Sequence, residues 1–545
     1  MSPSLVAPGR SVTLVRSCPD PVAAMPALTP RRQLAMQRLR RTLARPGVRD
    51  ALAIPAGALG VLGFAPFGWW PLAIVAPALL FLLWAECRRG RAAWRGWLFG
   101  LGYWGAGVYW IYFSLHHFGA AIAPLAALLT FLFAVGMALT LALLGALVAH
   151  GEPHRRGADW FLLILPAAWV ALEWFRSWFL TGFPWLLVGN AQLDTWLEGY
   201  APVAGVHGMG LAAAFTAGVL AVLGRLRWHA RTGVIALAAA LWIGGAVLAG
   251  VHWTRSGALP FDAALVQGSV QPDRKFADLD LSLDRYTEMT RAVAGEAEIA
   301  VWPETAVPTF YPRVAERLNE FAAEMAERDT HVVTGVFTLE PAGARYFNGV
   351  RQLGPGHRDY RKQHLVPFGE YMPLRGLLGF FERYIEIPMS DIAAGAAGQE
   401  PLRVGRYRIG ASVCYEAAYP GVIRGMVPPA SVLVNVSNDA WFGDSTAPYQ
   451  HLEIARLRAR ELGRPMLRAT NTGITAVIDH RGDVLAQGPQ FEATVVEARV
   501  EPRAGLTPYT RAGDVPALLI AVIMLVTPPA VRWYRRQTAR GTAPR

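Results

Sequence analysis

Eight apolar segments constrain this chain more than anything else in it. They run over 51–67, 69–86, 96–115, 121–149, 158–177, 202–223, 234–252 and 515–531. A helix crosses a bilayer with about 20 apolar residues. In lipid only helices and closed barrels satisfy their own backbone polar groups. The Gly and Pro inside several segments are tolerated in membrane helices. The first two segments are short and joined by Phe67-Gly-Trp-Trp70, which a re-entrant hairpin would also produce. With 53% hydrophobic and 17% charged residues, the chain is too apolar for an ordinary soluble protein. The surplus lies in 51–252 and 515–531, so the pattern predicts a membrane protein carrying a water-soluble insert.

Arginine placement gives an orientation. Arg88, Arg89, Arg91 and Arg95 fall between segments two and three, Arg155 and Arg156 between four and five, and Arg225, Arg227 and Arg231 between six and seven. Arg532, Arg535, Arg536, Arg540 and Arg545 follow the last segment, and the N-terminal tail is equally basic. The alternate loops, at Phe67–Trp70, His116–Pro124 and Trp178–Ala201, hold no Arg or Lys. Cytoplasmic loops collect positive charge, so eight spans with both tails cytoplasmic and the insert outside are expected. The net charge of +12 follows from this topology and does not call for nucleic acid. Residues 1–50 lack the apolar core of a signal peptide, and Met25 and Met36 are alternative starts. Expected boundaries are a basic tail at 1–50, seven spans in 51–256, a domain at 257–510, an eighth span at 511–532 and a tail at 533–545.

The insert alternates strand and helix patterns. Apolar runs at Ala263–Val266, Ile299–Trp302, His331–Phe337, Ile409–Cys414, Ser431–Ser437, Met466–Ala469 and Thr475–Asp479 read as strands. Helical periodicity appears at 278–294, 312–328 and 448–462. Such alternation predicts an α/β fold with helices covering sheets.

Of the three cysteines, Cys18, Cys87 and Cys414, only Cys414 lies in the insert, and no intramolecular disulfide is evident. Cys414 ends an apolar strand, at the lip where a nucleophile would sit; a lone Cys is otherwise most often a buried apolar residue. Glu304 follows the strand in Val-Trp-Pro-Glu-Thr. Lys362 is one of only two lysines, with Lys275, among 52 basic residues. A lysine retained where Arg is otherwise used hints at a need for a compact ammonium. A thiol nucleophile requires a base and a group to hold the oxyanion, and Glu, Lys and Cys at successive strand ends supply these roles. Taken singly, Glu304 could cap a helix and Lys362 could be a surface charge. There is no HExxH, no Cys/His ligand cluster and no phosphate-binding glycine loop, so neither metal nor cofactor is expected.

Trp302-Pro-Glu-Thr305, Tyr360-Arg-Lys-Gln-His-Leu-Val-Pro-Phe-Gly-Glu-Tyr371, Val413-Cys-Tyr-Glu416 and Val434-Asn-Val-Ser-Asn-Asp-Ala-Trp-Phe-Gly443 together resemble the apolipoprotein N-acyltransferases, the membrane branch of the nitrilase-like superfamily. Glu173-Trp-Phe-Arg-Ser-Trp-Phe-Leu-Thr-Gly-Phe-Pro-Trp185 extends the likeness into the apolar region. The resemblance implies an α-β-β-α nitrilase-like domain on the periplasmic side of a bacterial inner membrane. It implies Glu304 as general base, Lys362 as oxyanion holder and Cys414 as acylated nucleophile. Glu370, Asn348, Tyr415 and Glu416 are implied as supporting residues. Phe276 stands where the family often has tryptophan, which leaves the lipid-contacting role of that position open. The implied reaction moves an acyl chain from a phospholipid, typically phosphatidylethanolamine, to Cys414. The chain then passes to the α-amino group of a diacylglyceryl-cysteine at an apolipoprotein N-terminus.

Leu374–Ile385, with Phe380 and Phe381, reads either as a membrane-surface lid or as a stretch packed on the domain. Trp441 and Phe442 would extend the same rim. Glu173 and Arg176, three apart, are expected to pair on one helix face, and no role is assigned to His116, His117 or His207. Two alternatives to acyl transfer are a membrane-bound amidase or nitrilase and a non-catalytic scaffold.

Overall fold

The computed structural model describes residues 45–119, 121–151, 153–271, 278–340, 343, 345–372, 376, 392–427 and 429–541. Phe276, Phe380, Phe381, most of the Leu374–Ile385 stretch, Cys18, Met25, Met36 and Lys275 lie outside the described residues. By internal contacts the chain forms two units, Met1–Arg49 and Asp50–Arg545. The second holds the apolar helices from Asp50 onward and every strand among the described residues.

Every apolar segment contains a helix: α1 (Pro46–Val61), α2 (Trp70–Trp84), α3 (Arg89–Gly107), α4 (Ala123–Val148), α5 (Leu165–Arg176), α6 (Ala201–Val222), α7 (Trp228–Ala249) and, after the insert, α11 (Val515–Gly541). Three described helices are long and apolar enough by length and composition to cross a membrane: Ala123–Val148, Trp196–Arg225 and Trp228–Ala249. Trp70–Trp84 and Val515–Pro528 are shorter apolar helices.

The third segment departs from the sequence expectation. Its helix begins at Arg89 instead of residue 96, so Arg91 and Arg95 are helical and not loop. Asp50 explains the shift, accepting from Arg91 at 2.5 Å and from the buried Arg95 at 2.7 Å. Arg156 closes the same end by donating to the carbonyls of Trp84, Ala85, Cys87 and Ala149. Trp84 ends α2, Ala85 and Cys87 follow it, and Ala149 follows α4, the places where carbonyls lack a partner within the helix. Small residues bring the helices together: a Cβ at Gly96 would lie 2.3 Å from the Leu141 carbonyl oxygen of α4.

The insert is two packed sheets with helices on both outer faces. The first contains β1 (Phe261–Gln267), β2 (Ile299–Val301), β3 (Val307–Phe310), β4 (His331–Leu339), β5 (Tyr346–Gln352) and β6 (Asp359–Arg361). The second contains β7 (Leu402–Val404), β8 (Tyr407–Val413), β9 (Val432–Ser437), β10 (Met466–Thr470), β11 (Ala476–Ile478) and β12 (Val484–Gln487). A last strand, β13 (Thr494–Val500), returns to the first sheet. The orders are β13-β1-β2-β4-β5-β6, with β3 beside β4, and β12-β11-β10-β9-β8-β7. In each sheet three central strands run parallel, β1-β2-β4 and β8-β9-β10. These strands are buried on both faces and so read as continuous apolar runs.

Between the sheets Val301, Val333 and Val350 share a core with Ile409, Val413, Val434 and Leu467. Helices α8 (Leu279–Val293) and α9 (Tyr311–Ala326) cover the first sheet, and α10 (Ala447–Leu462) covers the second. Helix α9 buries Tyr311, Val314, Leu318, Phe321 and Met325, the three-and-four spacing of one helix face. Burying a side chain of this size stabilises by about 1.5–3 kcal/mol. Asp278 starts α8 by accepting from the Leu281 amide at 3.0 Å, and Gly463 ends α10 at φ +60°. Arg255–Ser256 pairs with Arg503–Ala504, so the chain enters the insert after α7 and leaves it ahead of α11 at one place.

Candidate active site

Three strand ends of the sandwich converge on one buried cluster. Glu304 lies three residues past β2, on a turn where Thr305 has φ +47°. Gly335 permits that turn, since a Cβ there would stand 2.6 Å from the Glu304 Cα. Lys362 follows β6 directly and Cys414 follows β8, opening a short 3₁₀ turn over Cys414–Ala418. Cys414 is itself left-handed, at φ +51°. Strained non-glycine residues of this kind persist where the surroundings over-determine them, and they cluster at active sites. The strand expected to run to Cys414 stops at Val413, because that conformation breaks the ladder.

Lys362 is 1% exposed. Its Nζ lies 2.8 Å from Glu370 Oε1 and 3.7 Å from Glu304 Oε1. Asn348 on β5 donates from Nδ2 to Glu304 Oε1 at 2.7 Å and to Glu370 Oε1 at 3.3 Å. The Asn438 amide donates to Glu304 Oε2 at 3.0 Å, and the Val366 amide to Glu370 Oε2 at 2.8 Å. Burial alone would pull the Lys362 ammonium down, but Glu370 and then Glu304 hold it above its ordinary value. Burial and the Glu304 charge push the Cys414 thiol up, while Lys362 draws it back. In this resting state the thiol keeps its proton.

Glu416 ties the Cys414 turn to the segment that carries Lys362. Its Oε2 accepts from the Val413 amide at 2.7 Å and the Tyr360 hydroxyl at 3.0 Å; its Oε1 accepts from the Gln363 and His364 amides at 2.7 and 3.0 Å. Burial pushes this carboxyl up to about 7, against Lys362 and the three amides. Its folded value therefore lies above its ordinary 4.5. Its contribution to stability is fully present below about 4.5 and is lost as pH rises through about 7. Glu416→Gln presents an NH₂ to donors that need an acceptor, at about 1–3 kcal/mol per buried group left unpaired. Thermal melts between about pH 4.5 and 8 should show that this variant is less stable at every pH and lacks the wild-type decline. A parallel pH dependence in both proteins would count against the assignment.

The apolar helices form the other wall. Trp185 packs against Tyr415, Phe442 and His451, with ring centroids 6.4, 6.1 and 5.8 Å away. Its Nε1 donates to Gln450 on α10 at 2.6 Å. Tyr419 donates to the Gly182 carbonyl at 2.9 Å, and Tyr415 reaches the same oxygen at 3.5 Å. His364 stacks on Tyr419 at 3.6 Å and is pulled down to about 4 by burial and then by Lys362. Trp441 and Phe442, read from sequence as an apolar rim, dock on the helices. Trp441 packs on Phe118 and Phe442 on Trp110, and Ser114 donates to the Trp441 carbonyl at 2.7 Å.

Glu173 and Arg176 depart from expectation. No ion pair within 4 Å joins them among the described residues; each instead holds the Phe183–Val188 loop. Glu173 Oε1 accepts from Trp169 and from the Val188 amide. Arg176 donates to the carbonyls of Phe183 and Trp185 and lies over the Trp104 ring. Polar groups buried among apolar helices find backbone partners of this kind.

The structure thus gathers Glu304, Lys362, Cys414, Glu370, Asn348, Tyr415 and Glu416. Sequence reasoning missed a second buried cluster behind Cys414, made of Asn435, Asp439, His451 and Arg468. Asn435 and Asp439 lay within the Val434–Gly443 motif, but nothing local marked His451 or Arg468. His207, left without a role, is buried with Nδ1 3.1 Å from Asp514.

Residues 56–219 match the family model for the apolipoprotein N-acyltransferase N-terminal domain, and residues 262–509 match that for carbon-nitrogen hydrolase. The chain is 40% identical over 508 residues to an apolipoprotein N-acyltransferase of Pseudomonas paraeruginosa, covering 92% of this chain and 99% of that one. It is 42% identical over 473 residues to one from Methylococcus capsulatus, covering 86% and 93% respectively. Among solved structures, a Saccharomyces cerevisiae member of branch 10 of the nitrilase superfamily matches at 17% identity, covering 46% of this chain and 93% of that one, with a TM-score of 0.35. At 40% identity to a full-length relative, and with both domains matched in order, the chain belongs to the apolipoprotein N-acyltransferases.

Proposed function

We propose that this protein N-acylates apolipoproteins, taking a fatty acyl chain from a phospholipid through a thioester on Cys414. The observation that carries the mechanism is the buried convergence of Glu304, Lys362 and Cys414 on strand ends of two packed sheets. In the first step Glu304 takes the Cys414 proton and the thiolate attacks the ester carbonyl. Lys362 holds the resulting oxyanion. Collapse expels the lysophospholipid alkoxide, which recovers the proton from Glu304 and leaves the thioester. In the second step the free α-amino group of a diacylglyceryl-cysteine attacks the thioester, Glu304 receives the amine proton, and the amide forms as the thiolate leaves and is reprotonated. An ester and an amine become an amide and an alcohol, with the enzyme unchanged.

Glu370, Asn348 and Glu416 position Lys362 and Cys414, and Tyr415 lines the acyl side of the site. Phosphatidylethanolamine is the proposed donor, and Phe276, Phe380, Phe381, Trp441 and Phe442 are proposed lipid contacts. Arginine placement supports eight spans in an inner membrane, with both termini cytoplasmic and residues 257–510 on the periplasmic face. Two membrane-bound substrates explain why a nitrilase-like domain would carry such helices.

The test uses full-length protein with a phospholipid labelled in its acyl chain, followed by a diacylglyceryl-cysteine peptide. Label should appear on Cys414 and then pass to the peptide amine. Cys414→Ala should leave no covalent label and lower turnover by about 10⁴-fold or more, as expected when a nucleophile is removed. Label released as free fatty acid would mark a hydrolase, and wild-type protein that takes no label would mark a scaffold.

A further inference from the structure

The left-handed backbone at Cys414 is held through its own carbonyl. That oxygen accepts from Nε2 of His451 on α10 at 3.1 Å and from Nδ2 of Asn435 on β9 at 3.3 Å. A carbonyl only accepts, so His451 Nε2 carries a proton. Behind these donors the network closes on itself. Arg468 on β10 donates to Asn435 Oδ1 at 2.5 Å, which fixes the end of that amide facing Cys414. Arg468 also donates to Asp439 Oδ2 at 2.7 Å and lies 3.1 Å from His451 Nδ1. Nδ1 is in turn 3.0 Å from Asp439 Oδ1, which accepts from Ser437 at 2.6 Å. All five side chains are buried. Burial would push the Asp439 carboxyl up, but Arg468 and His451 hold it well below its ordinary value. It is therefore a fixed charge, and no step of the acyl transfer uses this cluster.

The peptide joining Cys414 to Tyr415 is trans, so its N–H points opposite to its C=O. Both groups donating to the carbonyl belong to the nucleophile's half of the sandwich. Lys362 and Glu304 come from the other half. We propose that His451 is a positioning residue. With Asn435 it turns this peptide so that the Tyr415 N–H joins Lys362 in holding the oxyanion of both acyl-transfer steps. Donation to the carbonyl also polarises the peptide and strengthens its N–H as a donor. The packing of Trp185 on His451 keeps water from competing for that carbonyl. This role rests on the acyl-transfer reading of the site.

The experiment measures single-turnover labelling of Cys414, together with steady-state kcat and KM, on full-length protein. His451→Phe keeps the ring volume and loses the donor. It should lower kcat and the labelling rate by about tenfold to hundredfold, less than the loss of a direct oxyanion donor, with KM for phospholipid unchanged. His451→Gln, whose amide NH₂ can reach the same carbonyl, should recover most of that loss. Asn435→Asp removes the second donor while keeping the Arg468 contact, and should also lower kcat; it stands in if His451→Phe does not fold. Equal losses in the Phe and Gln variants, a loss confined to KM, or a wild-type labelling rate in a folded donor-less variant would overturn the proposal. Failure of the acyl-transfer reading is distinguishable, because wild-type protein would then carry no label.

Discussion

Lys362→Met should abolish acyl transfer and also destabilise the fold by about 3–5 kcal/mol, the usual consequence of removing one member of a buried charge group. The ammonium sits between two buried carboxylates, 2.8 Å from Glu370 and 3.7 Å from Glu304. Asn348 bridges both but brings no charge. Without Lys362 the two carboxylates repel, and one takes up a proton. The variant should therefore be least stable at neutral pH and recover as pH falls, the sign expected when the folded state binds more protons than the unfolded one. Activity should not recover with it, because no cation remains for the oxyanion, a loss of about 10²–10³-fold from that source alone. Lys362→Arg should fail as well, since a planar guanidinium does not fit a cavity shaped for a point charge. Wild-type turnover in the Arg variant would sink this account. Melting curves across pH with thioester trapping at each point separate the two losses.

Arg468→Met should destabilise by a similar amount, about 3–5 kcal/mol, although Arg468 lies behind the site. It leaves the Asp439 carboxylate fully buried with Ser437 as its remaining side-chain donor. Adding Asp439→Asn removes the uncompensated charge, so the double variant should regain much of the stability. Coupling between contacting residues of this kind is commonly about 0.5–3 kcal/mol. Turnover should stay low in the double variant, because Asn435 no longer has Arg468 to fix its amide. Additive stability losses in the two single variants and the double variant would show that the pair is not coupled.

How far the site could be read from sequence depends on where each residue's partners lie. Glu304, Lys362 and Cys414 were legible because each follows a recognisable strand or motif and belongs to a residue type with few other reasons to be there. Helices α8, α9 and α10 fell within a residue or two of their periodic patterns. Strands β3, β5, β6, β7, β12 and β13 were missed. Several are three or four residues long, and β12 is mostly exposed, so neither length nor alternation marks them. The cluster of Asn435, Asp439, His451 and Arg468 was illegible for a different reason. Its members come from two strands, a turn and a helix, and buried polar residues look like surface ones until the tertiary structure supplies their partners. The early start of α3 was hidden in the same way, since arginines that normally mark a loop are neutralised by Asp50.

The seam between α10 and the 181–206 segment has a consequence for heredity. Gln450 holds Trp185, Arg456 pairs with Asp194, Arg460 with Glu198, and Glu461 accepts from the Val206 amide. Tyr415 and Tyr419, beside Cys414, end on the Gly182 carbonyl. A change near residue 185 therefore meets Tyr415, the residue that follows Cys414. The two regions have to drift in step, and a recombinant that inherits its helices from one ancestor and its sandwich from another splits this seam wherever the crossover falls between residues 206 and 447.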